Sequence, residues 1–374
     1  ATGSADRPGE HNVTEEQVRT PQEAPEGSVL DVFLSGPLFL DIVFSGMPTG
    51  PRPGTEVWAS GMGSLPGGIA NLAVATSRLG LATGLATGFG GDVYGRWCWD
   101  ILADEAIDLS RSVRVPSLHT SVTVSMAYDG DRAMVTHGHP LPVGYDELIG
   151  EPPTTRAVII DLDDTRAEER WWRAAAAAGA LVFADVGWDP SERWDPARLD
   201  ALDDCYAFLP NAAEATAYTG TDSPRAAARA LAERVPLVVV TLGAEGALAV
   251  DAATGEECHV PALDVEAIDP TGAGDVFLAA FVRGTLSGWP LERRLRFAAL
   301  CSGLTVQGFG GSLAAPGIGD LHDWWGTLDA AHGAGDPAAA ELHEHYRFLP
   351  DVLPARPGRV TRRAEATFAL ESDL

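Results

Sequence analysis

Asp269-Pro270-Thr271-Gly272-Ala273-Gly274-Asp275 runs without a break into Val276-Phe277-Leu278-Ala279-Ala280-Phe281. The first seven residues read as a loop and the next six as the opening of a buried helix. Glycines on either side of Ala273 let the backbone approach a ligand closely. The helix that follows turns its free N–H groups and the positive end of its dipole back onto the loop, which makes a cradle for an anion such as phosphate. Asp275 falls in the first helical turn, where the dipole favours its charged form. A carboxylate in a pure anion cradle would repel the ligand. It makes chemical sense if it accepts the proton of a hydroxyl that attacks the bound phosphate. The alternative is a glycine-rich helix start with Asp275 as a cap.

Working outward, strand-like runs at 29–34, 82–89, 121–128, 133–136, 157–161, 181–185, 207–210, 237–241 and 247–250 interleave with helix-like stretches at 69–79, 96–105, 168–178, 212–219, 224–234 and 276–286. Strands alternating with helices of this length predict an α/β, doubly wound, mostly parallel sheet with helices on both faces. Leu237-Val238-Val239-Val240 is uninterrupted hydrocarbon, as a buried parallel strand should be. Residues 119–137 break the rhythm and read as a hairpin around Asp129-Gly130. With an extended segment at about 54–65 it would form a small antiparallel β lid, unless it is an edge hairpin of the main sheet. The chain then divides into a disordered N-terminal tail at 1–28, a main domain at 29–319 and a C-terminal appendage at 320–374 that packs on the core or engages a neighbour.

Composition narrows the function. Lys+Arg is 26 against Asp+Glu 53, a net charge of −27, and every one of the 26 cations is Arg. A surface this acidic repels nucleic-acid backbones and anionic lipid. Cys98, Cys205, Cys258 and Cys301 are scattered with no C-x-x-C, which fits buried thiols in a reducing compartment. No apolar run reaches the roughly 20 residues a spanning helix needs, and 1–28 has no apolar signal core, so the expected location is cytoplasmic.

Other motifs gain meaning from position. Pro66-Gly67-Gly68-Ile69-Ala70-Asn71 opens a helix that ends in Arg78-Leu79-Gly80; it is either a capped helix start or a place from which Asn71 could donate to and accept from a polyhydroxylated ligand. Asp41, after the first strand, is either a cap or turn former or, at the carboxyl end of the sheet where open α/β folds bind ligands, a carboxylate that could grip vicinal hydroxyls. Asn211-Ala212-Ala213-Glu214 reads either as a capping box or as a Glu holding Mg²⁺ through water. Thr241-Leu242-Gly243-Ala244-Glu245-Gly246 follows the buried strand and is either a tight turn or a place for a flat ligand. The His137/His139 and His343/His345 pairs lack a third ligand, so no metal is assigned to them.

In this order the motifs resemble the PfkB/ribokinase family of carbohydrate and nucleoside kinases over about 29–317. DPTGAGD at 269–275 is the most specific element, supported by Gly36…Asp41, the Asn71 helix and Gly88-Phe89-Gly90-Gly91-Asp92…Gly95. The resemblance implies a ribokinase-like fold with a β lid and ATP-dependent phosphorylation of a sugar hydroxyl. By analogy Asp275 is the base and Gly272, Ala273 and Gly274 form the anion hole. Asp41, Gly68 and Asn71 would bind the acceptor. Asn211, Glu214, Thr241, Gly243 and Gly246 would serve ATP and Mg²⁺, with Asp269 and Thr271 near a monovalent cation such as K⁺. Lid strands would pair across a homodimer. Three departures stand out: Gly68 lies three residues before Asn71 rather than four; Ile69 stands where members acting on sugar phosphates carry Lys; and Asp185-Val186-Gly187-Trp188-Asp189-Pro190 replaces a D-P-N-x-R-P run. The lack of Lys points to a non-phosphorylated acceptor. Two other readings stay open: a nucleoside acceptor stacked on Trp58, Met126 or Tyr128, and a non-catalytic sugar- or nucleotide-binding relative.

Overall fold

The computed structural model describes residues 29–128, 131–162, 169–187, 189, 191–354 and the short strand 369–370. The expectations for 1–28, for the Asp129-Gly130 turn, for Trp188 and Pro190, and for the last dozen residues lie outside these, apart from the backbone of 369–370.

The chain enters the main sheet at β1 (Leu30–Ser35), with five of its six residues buried. It leaves for a second sheet through β2 (Leu38–Ser45) and β3 (Gly61–Gly68), then forms α1 (Ile69–Arg78) and returns in β4 (Thr83–Ala86). The short strands β5 (Gly88–Gly90) and β6 (Val113–Val115) pair beside α2 (Val93–Asp104), and β7 (Ser121–Tyr128) and β8 (Asp131–His137) rejoin the second sheet. After α3 (Tyr145–Ile149) the main sheet is completed by β9 (Thr155–Asp161), α4 (Trp171–Ala177), β10 (Leu181–Asp185), β11 (Ala207–Phe208), α5 (Ala212–Thr219), α6 (Pro224–Leu231), β12 (Leu237–Thr241), β13 (Ala247–Asp251) and β14 (Glu257–Val260). The rest is helical: α7 (Ala273–Leu286), α8 (Leu291–Thr305), α9 (Gly311–Ala314), α10 (Ile318–Gly333), α11 (Pro337–Tyr346) and α12 (Leu349–Val352), before β15 (Ala369–Leu370).

The eight-stranded sheet has the order β14-β13-β12-β11-β10-β9-β1-β4 and is parallel from β12 to β4, with antiparallel β13 and β14 at one edge. Its strands alternate as a sheet buried on both faces must: Ala157 and Ile159 join one hydrophobic cluster with α1, α7 and α8, while Val158 and Ile160 join another with α4, α5 and α6. Strand order reverses at β1, between β4 and β9. The carboxyl ends there open into the crevice that such sheets offer to ligands. No helix among the described residues is long and apolar enough to cross a membrane.

Three expectations need correction. The second sheet, β15-β3-β2-β7-β8, includes β2, takes its third strand from 61–68 rather than 54–65, and is mixed, because β2 and β7 are parallel. Residues 54–60 form no strand. Asp41 is therefore not at a strand end but in the middle of β2, opposite Leu65 of β3. β3 (GMGSLPGG) has no alternation to announce it; it exists because its backbone pairs with β2 along all eight residues. The boundary at 319/320 also falls inside α10. Leu321, Tyr346 and Leu349 of the expected appendage belong to the same core cluster as α7 and α8, because the apolar faces of α10 to α12 close over those helices.

Candidate active site

Asp161 and Asp185 end β9 and β10 as direct cross-strand partners, so two carboxylates stand side by side at the open end of the sheet. Asp275 arrives from the first turn of α7 and Asp41 from β2. Asn71, in the first turn of α1, donates from Nδ2 to Asp275 Oδ2 at 3.1 Å. Asn71 Oδ1 is buried and has no hydrogen-bond partner among the described residues. Burial pushes the Asp275 carboxyl up to about 6; the Asn71 bond works against this, and the charges of Asp161 and Asp41 add to it. Asp41 is likewise raised to about 6 by burial, with the Arg132 guanidinium pulling it down. Asp185 lies well above the usual carboxylate range, through burial first and then through Asp275, Asp161 and Glu214. The predicted trio Asp41, Asn71 and Asp275 is thus brought together, and with it come Asp161 and Asp185.

Gly67, not Gly68, explains the shifted glycine pair. A Cβ on Gly67 would lie 1.8 Å from Asp41 Oδ2, so the carboxylate rests on bare backbone there. Gly68 is the N-cap residue of α1. The cradle itself starts at Gly272, whose φ of +75° caps α7 in the left-handed region and whose Cβ would meet Gly311 Cα at 2.6 Å. Asp269 Oδ1 accepts from the Thr271 amide at 2.9 Å and from its hydroxyl at 2.6 Å, and Oδ2 accepts from the Gly310 amide at 3.0 Å. Asp269 therefore ties the start of the loop to Thr271 and to the backbone before α9.

On the other side of the loop, Ala273 and Gly274 share a cavity of about 490 Å³ with Thr241, Gly243, Gly246 and Phe277. These nucleotide candidates from β12 and the β12–β13 turn do converge on the cradle. Asn211 pairs with Thr241 in an isolated parallel bridge. Asn211 and Glu214 form the capping box: Asn211 Oδ1 accepts from the Glu214 amide and Glu214 Oε2 from the Asn211 amide, each at 2.9 Å. Burial first, with Asp161 adding, raises the Glu214 carboxyl. A second cavity, of about 480 Å³, lies against Asp161 and is lined by Pro37, Thr87, Thr120, His139 and Leu141.

Sequence reasoning missed Asp161, Asp185, Gly67 and Gly311 as neighbours of the site. The strand-end signal that singled out Asp41 applies better to Asp161 and Asp185. In the altered 185–190 run, Asp189 turns into its own loop, accepting from the Ser191 amide and hydroxyl and from the Trp194 amide. Met126 and Tyr128 do not serve as a stacking platform beside Asp41. The register pairs Met126 with Phe44 and Thr123 with Asp41, which puts Met126 and Tyr128 on the opposite lid face. Among the described residues no group of three His, Cys, Asp or Glu could hold a metal ion.

Residues 42–317 match a family model described as pfkB family carbohydrate kinase. The chain is 29% identical over 277 residues to a nucleoside kinase of Methanothermobacter thermautotrophicus, covering 72% of this chain and 87% of that one. It is 31% identical to a fructokinase of Klebsiella pneumoniae over 68% of this chain and 90% of the other. Among solved structures, Arabidopsis thaliana ribokinase complexed with ribose and ATP superimposes with a TM-score of 0.66 at 24% identity, covering 79% of this chain and 98% of that chain.

Proposed function

The chain belongs to the pfkB family of carbohydrate kinases, and from that premise we propose that it transfers the γ-phosphoryl group of ATP to a hydroxyl of a small non-phosphorylated carbohydrate, with Asp275 as general base. That it is a sugar or nucleoside kinase follows from the family. The observation that carries the finer reading is the Asn71–Asp275 pair at the mouth of the 272–274 loop. Asn71 occupies one oxygen of the carboxylate and leaves the other for a hydroxyl. Asp41 accepts from the acceptor's remaining hydroxyls, and the unpaired Asn71 Oδ1 is a further acceptor for them. The acceptor oxygen bonds to the γ-phosphorus as the bond from that phosphorus to the β–γ bridging oxygen breaks. The hydroxyl proton passes to Asp275, while the amides of Gly272, Ala273 and Gly274 face the developing charge.

The donor set suits magnesium. Glu214, Asp161 and Asp185 bring hard carboxyl oxygens to this end of the sheet, and with no group of three ligating side chains among the described residues the cation would rest on phosphate oxygens and water, with Glu214 behind them. Bound Mg²⁺ would neutralise phosphate charge. Asp269, whose two oxygens already serve Thr271 and Gly310, acts in this reading as the tie that shapes the loop, with any monovalent cation beside it. On the lid face that carries Asp41, the hydroxyls of Thr123, Ser125 and Thr136 supply partners for a polyhydroxylated acceptor beside the apolar Leu65, Val43 and Met134.

The test is ADP release over a panel of sugars and nucleosides, with Asp275→Asn as control. The variant is expected to lose about 10²–10⁴-fold in turnover while still binding ATP. Near-normal turnover would remove Asp275 from the role. ATP binding without turnover of any acceptor by the parent protein would instead favour a sensor.

A further inference from the structure

We propose that Arg132, carried on lid strand β8, is a further catalytic residue that contacts the transferring phosphoryl group and so couples lid closure to transfer. The inference rests on the kinase reading of the site and adds to it a residue that no motif marks. Arg132 Nη1 donates to Thr271 Oγ1, and the Thr271 hydroxyl in turn donates to Asp269 Oδ1 at 2.6 Å. A guanidinium from the lid is thus parked on the residue immediately before Gly272, beside the amides that would hold the phosphoryl group.

Register shows that this placement is built into the sheet. Asp41 pairs with Thr123, Thr123 with Thr136, and Ala127 with Arg132. Residues two apart share a face, so Arg132, Thr136, Thr123 and Asp41 all look towards the crevice. Arg132 is exposed, and its fork lies one residue from the amides of the loop, so a short swing carries it from the Thr271 hydroxyl to a phosphoryl oxygen. The charge of Arg132 is felt at Asp41, which places it over the acceptor side as well.

Electrostatics supplies the need. Asp41, Asp161, Asp185 and Asp275 converge where a triphosphate must approach, and the chain contains no Lys to offset them. A planar guanidinium presents paired donors to phosphate oxygens and keeps its charge at any working pH. As the acceptor oxygen bonds to phosphorus and ADP departs, charge spreads over the equatorial oxygens, where a cation arriving with the lid is worth most.

Arg132→Ala, Arg132→Lys and Asp275→Asn would be assayed for ATP turnover with the best acceptor, with and without added guanidinium, alongside thermal unfolding. Arg132→Ala is expected to lower kcat by about 10²–10³-fold while both KM values stay within about threefold. Guanidinium should restore part of the loss, and Arg132→Lys should fall in between. A kcat within about threefold of the parent overturns the proposal. So does a loss confined to the KM of phosphorylated acceptors, which would make Arg132 a clamp for an acceptor anion, and so does an unrescued loss accompanied by a lower Tm. An active parent, an inactive Asp275→Asn and an undiminished Arg132→Ala would overturn this proposal alone. A parent that turns over no acceptor would overturn the reading of the site and this proposal with it.

Discussion

Burial raises the carboxyls of Asp275 and Asp41 to about 6, and the consequences can be measured at the residue scale. A base works only when deprotonated, so kcat/KM should rise as pH increases through about 6 and flatten above it. A profile flat from pH 5 to 8 would exclude a titrating Asp275. Stability should run the other way. In the folded protein the Asp275 carboxyl, at about 6, lies above its ordinary value of 3.8. Its stabilising contribution is therefore complete below pH 3.8 and is lost as pH rises through 6. Asp275→Asn, which has no charge to bury, should exceed the parent by about 2–3 kcal/mol at pH 8 and converge with it near pH 4. Thermal unfolding of the two proteins at both pH values checks this. An Asn variant less stable at pH 8 would show that the carboxylate is compensated by contacts beyond Asn71.

At the scale of elements, the cradle depends on what stands behind it. Arg78, 1% exposed at the end of α1, donates from Nε and Nη2 to Glu105 at 3.0 and 2.6 Å and from Nη1 to the carbonyls of Leu313 and Ala315 at 2.8 and 2.7 Å. It thereby holds α9 against α1. From α9, Gly311 backs both Gly272 and the Asn71 amide, and Ser312 donates to Pro66 O at 2.5 Å. Arg78→Met would leave Glu105 and two carbonyls without their donor and should cost about 3–5 kcal/mol, read from urea unfolding. Turnover should fall in the surviving folded protein, since Asn71 and Gly272 lose their support. Unchanged kcat in a destabilised variant would confine Arg78 to stability. Sequence patterns could place Arg78-Leu79-Gly80 at a helix end but could not reveal this, because the two carbonyls it holds are 235 and 237 residues away.

For the whole molecule, a net charge of −27 means self-repulsion across a fold that has few cations to spare. Salt shortens the range of that repulsion, to roughly 10 Å at 0.1 M. Tm should therefore rise between low salt and about 0.5 M, equally in NaCl and KCl, if screening is the cause. A rise in KCl alone would point to a specific cation near Asp269 and Thr271. The described helices after residue 318 extend the cluster that covers the α1, α7 and α8 face of the main sheet, while α4 to α6 cover the other face with a cluster of their own.

What the sequence determined by itself is local in origin. Uninterrupted apolar strands alternating with helices require a buried parallel sheet, and a glycine loop feeding an apolar helix makes an anion cradle wherever it lies in the chain. Those signals located the main sheet, α7, Asp275, Asn71 and the 241–246 turn. Tertiary structure alone decided the rest. The Gly-rich 61–68 segment becomes a strand only through its partner, and Asp161 meets Asp185 only through the register of β9 on β10. Arg132 shares the Asp41 face because of strand pairing, and a slip of one residue would turn it away. Contacts between distant segments depend on geometry that no short window of residues encodes.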